Sequence, residues 1–200
     1  MIPVTPQAEP EDFDSLVRQR GLGRLAEQGW SIDKPPPDAS ALPPYWRQVQ
    51  RELWQRYSGI CAYLSIYFEW ALGAQSTDHF VAKSSHAGQA YEWQNYRLSC
   101  LGANRNKNRF DDVLDPLQIA PYTFVLNVAS GAIGPNPTLD DPTRALAEKT
   151  IQRLKLDDPA TCRMRTQHVE DLLRGHVSAD YLQRRSPFVW VELQRQGLLQ

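Results

Sequence analysis

The sequence predicts an α+β protein in which a short β-hairpin leads into a helix, with further helices before and after. Three observations predict it. Between residues 76 and 110, two strand-like runs flank a small-residue loop, and a polar, helix-capable segment follows them. Residues 45–57, 140–156 and 158–174 place their apolar side chains at helical spacing. Residues 122–129, YTFVLNVA, are β-rich and run into a glycine turn with a possible return strand. A chain of 200 residues suits one domain, or a small catalytic unit with helical additions.

In chain order, residues 1–10 are polar and proline-interrupted, which predicts a poorly fixed arm. Phe13, Leu16, Val17, Leu22 and Leu25 then recur at roughly helical spacing, while Gly21 and Gly23 weaken the run, leaving one interrupted helix or two short ones. The stretch KPPPDASALPP, residues 34–44, excludes regular structure because its prolines remove donors and bias their neighbours away from helix. It predicts a stiff connector. Trp46, Val49, Leu53, Trp54 and Tyr57 share one side of the next segment, opposite Arg47, Gln50, Arg51 and Gln55. Such aromatics belong to a core. Residues 60–72 are apolar, and periodicity leaves helix and strand open; the expected role is a buried support for the hairpin.

Asp78-His79 opens the central stretch in a strand-like run, a small-residue loop spans residues 84–89, and residues 95–100 alternate polar and apolar as a half-buried strand does. Asn104-Arg105-Asn106-Lys107 then enters the helix-capable segment. Residues 110–116 predict a turn, and Pro142 sits near the start of the helix over 140–156, whose Ala145, Leu146, Thr150, Ile151 and Leu154 face inward. Residues 179–199 supply one or two more helices. Three regions follow: an arm, helix and connector over 1–44, a core over 45–135, and a helical region over 136–200.

The 22 basic and 23 acidic side chains nearly cancel, so any field for an anionic partner is local. One exists between residues 79 and 110, where Lys83, Arg97, Arg105, Lys107 and Arg109 face a single acid, Glu92. No basic region precedes an apolar run at the N-terminus, and no window approaches the length of a membrane span, which predicts a cytoplasmic protein without a membrane partner. Cys61, Cys100 and Cys162 form no CxxC pair, and an odd count argues for buried thiols over a disulfide framework.

Asn95 follows His79 by sixteen positions, Asn104 follows Asn95 by nine, and Lys107 lies three further on. This D-H, N, N-x-x-K order resembles the HNH, or ββα-metal, nucleases. The flanking text resembles one branch, the HNH subunits of Septu-type and retron-linked anti-phage systems. It reads CAY, DHF-x-x-KS, AYEWxNYRLSC, N-x-x-K with a following phenylalanine, VLDP, G-x-I-x-P and TI-x-x-L-x-L, spread over residues 46–165. The resemblance implies a ββα-metal core acting as an endonuclease on DNA, with 5′-phosphate and 3′-hydroxyl products and a partner such as an ATPase or another defence-system subunit.

The residue types fit that chemistry. A hard divalent ion, Mg2+ or Mn2+, takes oxygen ligands and keeps several waters, so Asp78 and Asn104 are a plausible protein share. The resemblance implies that His79 is the general base and that Asn95 positions the loop or the imidazole, and Lys107 with Arg105 would hold the phosphate. Lys83, Arg97 and Arg109 are the remaining candidates for contact with nucleic acid. Two other classes stay open: a catalytically inactive ββα scaffold, and a nuclease that cuts RNA.

The chain also departs from the pattern. Where many HNH proteins hold a structural zinc with two CxxC pairs, it reads Cys61-Ala62-Tyr63-Leu64 and Cys100-Leu101-Gly102-Ala103. Two thiolates make a poor tetrahedral site, so no structural zinc is expected, with Leu64 and Ala103 packing in its place. Ala82 and Asn108 replace a common proline and glycine. Asp111, Asp112 and Asp115 match a structural turn, and His86, His168 and His176 lack partners at ligand spacing and are expected at the surface.

Overall fold

The computed structural model describes residues 1–199 and divides into two compact units, each built from separated stretches of chain. The first comprises Pro6–Gly59 and Phe68–Asp111; the second comprises Met1–Thr5, Ile60–Tyr67 and the chain from Asp112 onward. These units cut across the boundaries expected at 44 and 135. The α+β class holds, with helices and two small antiparallel hairpins.

In the first unit a π-helical turn, Asp14–Arg18, runs directly into helix α1, Gln19–Glu27, so the glycines interrupt nothing. Phe13, Val17 and Leu25 are fully buried. Gly21 is needed for packing: a Cβ there would come within 2.1 Å of the Tyr91 ring. The proline-rich connector contains one 3-10 turn, Ala39–Ala41, capped by Asp38. A second turn, Tyr45–Val49, leads into α2, Gln50–Arg56, and buries Trp46, Val49 and Leu53 as the pattern predicts.

Strands β1, Gln75–His79, and β2, Tyr96–Cys100, pair antiparallel with Asp78 opposite Arg97 and His79 opposite Tyr96. The loop between them forms two 3-10 turns, Gly88–Tyr91 and Trp93–Asn95. Helix α3, Leu101–Lys107, begins where β2 ends and packs back on both strands.

In the second unit, strands β3, Phe124–Leu126, and β4, Ile133–Pro135, form the other hairpin. Its turn depends on Gly131, which has φ +73°, and where a Cβ would approach the Cys162 carbonyl oxygen to 2.1 Å. Four helices follow: α4, Asp141–Leu154; α5, Pro159–Leu173; α6, Ala179–Arg185; and α7, Pro187–Arg195. Asp140, Asp158 and Ser178 cap the first three through side-chain oxygens, and proline stands in the first turn of α4, α5 and α7.

Three expectations need correction. Residues 1–10 are not a loose arm: Met1 is 2% exposed, the Val4 amide donates to the Pro116 carbonyl at 2.8 Å, and the Trp93 indole donates to the Gln7 carbonyl at 2.8 Å. Ile60–Tyr67 is neither helix nor strand, makes a single antiparallel bridge between Ile60 and Tyr67, and belongs to the second unit instead of supporting the hairpin. His168, expected at the surface, is half-buried, and burial lowers its pKa. Among the described residues, no helix is long and apolar enough to cross a membrane.

Candidate active site

β1, α3 and the turn before α2 converge on one cleft of the first unit, with a volume of about 630 Å³. β1 lines it along Ser76, Thr77, Asp78 and His79. Asn104 enters from the middle of α3, and Trp46 and Arg47 from the turn before α2. The expected pair, Asp78 and Asn104, therefore meets the expected imidazole at one cavity.

His79 is 9% exposed and wedged between aromatic rings, with the Trp46 ring centre 4.7 Å away and the Tyr96 ring centre 5.2 Å away. Its Nε2 lies 3.1 Å from the Ala90 carbonyl oxygen, which also accepts from the Tyr96 hydroxyl at 2.8 Å. A carbonyl only accepts, so Nε2 carries the proton and Nδ1 is the basic nitrogen. Burial pushes the imidazole down to about 4, and the charges of Lys83 and Lys107 push the same way, against the Ala90 hydrogen bond. At neutral pH the ring is uncharged, as a proton acceptor must be.

Asn95, 4% exposed, makes three hydrogen bonds with its side chain. Its Oδ1 accepts from the Val81 amide at 2.7 Å, and its Nδ2 donates to the Val81 and Gln89 carbonyls at 3.0 and 2.9 Å. Asn95 thus binds the end of β1 to the residue preceding Ala90, the partner of the imidazole. Its contacts are to the loop and not to the ring.

Asp78 is 2% exposed, and the Asn104 Nδ2 donates to the Ser76 hydroxyl, which leaves Oδ1 as the amide's available acceptor. No cluster of three His, Cys, Asp or Glu side chains able to hold a metal occurs among the described residues. Asp78, Asn104 and Ser76 bring a carboxylate, an amide and a hydroxyl oxygen to the cleft, and such a set fits a hard divalent ion that keeps most of its waters. Two further oxygens at the cleft, Gln75 Oε1 and Thr77 Oγ1, are buried without a hydrogen-bond partner. Buried polar atoms are seldom left so unless something else satisfies them.

Two expected phosphate contacts do not suit that role. Lys107 is completely buried, and its Nζ donates to the His79 and Phe80 carbonyls at 3.0 and 2.5 Å. It lies 3.8 Å from Asp78 Oδ2 and 3.9 Å from Asp111 Oδ1, so the ammonium is spent inside the fold. Arg97 is 5% exposed, donates to the Gln94 and Tyr96 carbonyls at 2.6 and 3.0 Å, and stacks on Phe80. Both are structural cations. Lys83 and Arg109 do line the cleft, and Arg105, exposed on α3, lines an adjoining depression with Leu101, Asn104 and Asn108.

The acidic trio separates. Asp111 accepts from the Ala82 amide and the Ser85 hydroxyl in the first unit, while Asp112 pairs with Lys149 at 2.6 Å and Asp115 accepts from the Leu117 amide in the second. Cys61 and Cys100 form no disulfide and belong to different units, and Ala103 is buried in the first. Sequence reasoning missed Ser76 and Arg47. Strand alternation could have found Ser76, two positions before Asp78, but Arg47 reads only as the polar side of a helix. Compared with models of known protein families the chain matches none, and no curated protein matches it.

Proposed function

We propose that this protein is a metal-dependent endonuclease of the HNH, or ββα-metal, type that hydrolyses phosphodiester bonds of DNA. The observation that carries the reading is the meeting of Asp78, Asn104 and a neutral His79 with an uncommitted Nδ1 at one cleft. His79 takes the proton of the attacking water on Nδ1, while Ala90 and Tyr96 prevent the ring from turning. Asp78 and Asn104 offer the oxygens that hold Mg2+ or Mn2+, and the bound ion would stabilise charge on the phosphate and the leaving oxygen. Asn95 keeps the loop behind the imidazole in place. Lys83 and Arg109 draw the substrate backbone to the cleft. A bacterial anti-phage role, a cytoplasmic location and delivery by an ATPase or other defence subunit follow from the sequence resemblance alone.

A specific observation favours a second reading, a catalytically inactive scaffold. The Lys107 ammonium already lies 3.8 Å from Asp78 Oδ2, close to where a metal would take that carboxylate. One experiment separates the readings. Wild type and His79→Ala are incubated with plasmid and with total RNA, with and without Mg2+ or Mn2+. The nuclease reading expects metal-dependent plasmid cleavage that falls about 10²- to 10⁴-fold in the variant. No cleavage by wild type supports the scaffold, and cleavage of RNA with plasmid left intact reassigns the substrate.

A further inference from the structure

Two cations line the cleft on the side of α2. Arg47 is exposed on the turn that enters α2, and Lys83 is half-buried with its Nζ 4.8 Å from the centre of the Trp46 ring. Neither has an acidic partner among the described residues, and Asp78, beside which Lys107 already sits, is the single carboxylate lining the cleft. Burial, with a smaller contribution from the Arg47 charge, holds Lys83 below the ordinary lysine range. Like charges kept together without a counter-ion are unfavourable, and an incoming anion removes that penalty. Trp46, which carries Lys83 on its ring, also meets the His79 ring 4.7 Å away, so the pair adjoins the proposed general base. Arg109 lines the same cleft from just beyond the end of α3.

We propose that Arg47 and Lys83 form a phosphate subsite, separate from the point of bond cleavage, that takes the adjoining phosphate of a nucleic acid strand. The proposal rests on the nuclease reading, since it requires a strand with successive phosphodiesters crossing His79. A guanidinium fork can grip two phosphate oxygens at once, and the ammonium adds a point charge beside it. With Arg109 in the same cleft, the strand would be anchored by cations from two elements and drawn across β1. The minimal good substrate then carries a phosphate besides the one attacked.

The test measures binding without divalent metal, so cleavage does not interfere. A fluorescein-labelled oligonucleotide is titrated by anisotropy over a series of salt concentrations with wild type, Arg47→Ala, Lys83→Met and the control Arg56→Ala. Arg56 is exposed on α2 and does not line the cleft. Arg47→Ala and Lys83→Met are each expected to weaken binding about tenfold at low salt. Each should also reduce the slope of log affinity against log salt by about 1. The control should stay within about twofold of wild type, with thermal melting verifying that all variants fold. Unchanged slopes in both cleft variants, an equal loss in Arg56→Ala, or no binding by wild type would overturn the proposal. Cleavage with unchanged slopes sinks the subsite and leaves the nuclease standing; the expected slopes without cleavage do the reverse.

Discussion

His79, the candidate general base, is buried, and its burial has a consequence for folding. Above about pH 6.5 the ring is neutral in both the folded and the unfolded chain and contributes no pH dependence. As pH falls from there toward about 4, the unfolded chain takes up a proton that the folded site resists, so stability is lost. The loss reaches about 3 kcal/mol at the lower end. Urea denaturation of metal-free protein at pH 7.5 and 5.0 should show a loss of about 2 kcal/mol in wild type and a smaller one in His79→Gln. Asn95 allows a sharper test. Asn95→Asp keeps an acceptor for the Val81 amide but cannot donate to the Val81 and Gln89 carbonyls, and should cost about 2–4 kcal/mol in chemical denaturation. The two residues were legible in the sequence as a motif. Their partner Ala90 was not, because a carbonyl oxygen has no signature in residue identity.

At the scale of elements, the hairpin and α3 are joined by a buried clasp. The loop leaving β1 has nearly all its backbone groups satisfied by side chains from other elements. Lys107 takes the His79 and Phe80 carbonyls, Asn95 takes both groups of Val81, and Asp111 takes the Ala82 amide. Lys107→Met would leave two carbonyls unpaired and the buried Asp78 charge without its neighbour. The expected cost is about 3–5 kcal/mol, measured by urea denaturation. A lysine that reached outward for phosphate would instead give a variant of wild-type stability with weakened nucleic acid binding. The existence of β1, β2 and α3 was readable from alternation and from the polar segment 104–107, but α3 begins three residues earlier, at Leu101. The inward direction of Lys107 was not, since a lysine on a short amphipathic helix is ordinarily a solvated one.

Across the whole molecule, two glycines test how far tertiary contact exceeds backbone preference. Gly131 and Gly175 have nearly the same positive φ, +73° and +71°, but only Gly131 faces a backbone carbonyl at clash distance. Gly175→Ala should cost about 1 kcal/mol, the ordinary penalty for that conformation. Gly131→Ala should cost more, about 2–4 kcal/mol, and lower the melting temperature accordingly. The amino-acid sequence alone determined the α+β class, the first hairpin, the helices of the C-terminal region and the order in which Asp78, His79, Asn95 and Asn104 arrive. These follow from local geometry, in which a strand repeats every two residues and a helix every 3.6. Only the tertiary structure decided that the N-terminal segment docks, that residues 60–67 leave the hairpin's unit, that Lys107 and Arg97 turn inward, and that Arg47 joins the cleft. Those outcomes depend on which surfaces remain after distant segments pack, and burial of a charged side chain is set by partners that the local pattern does not contain.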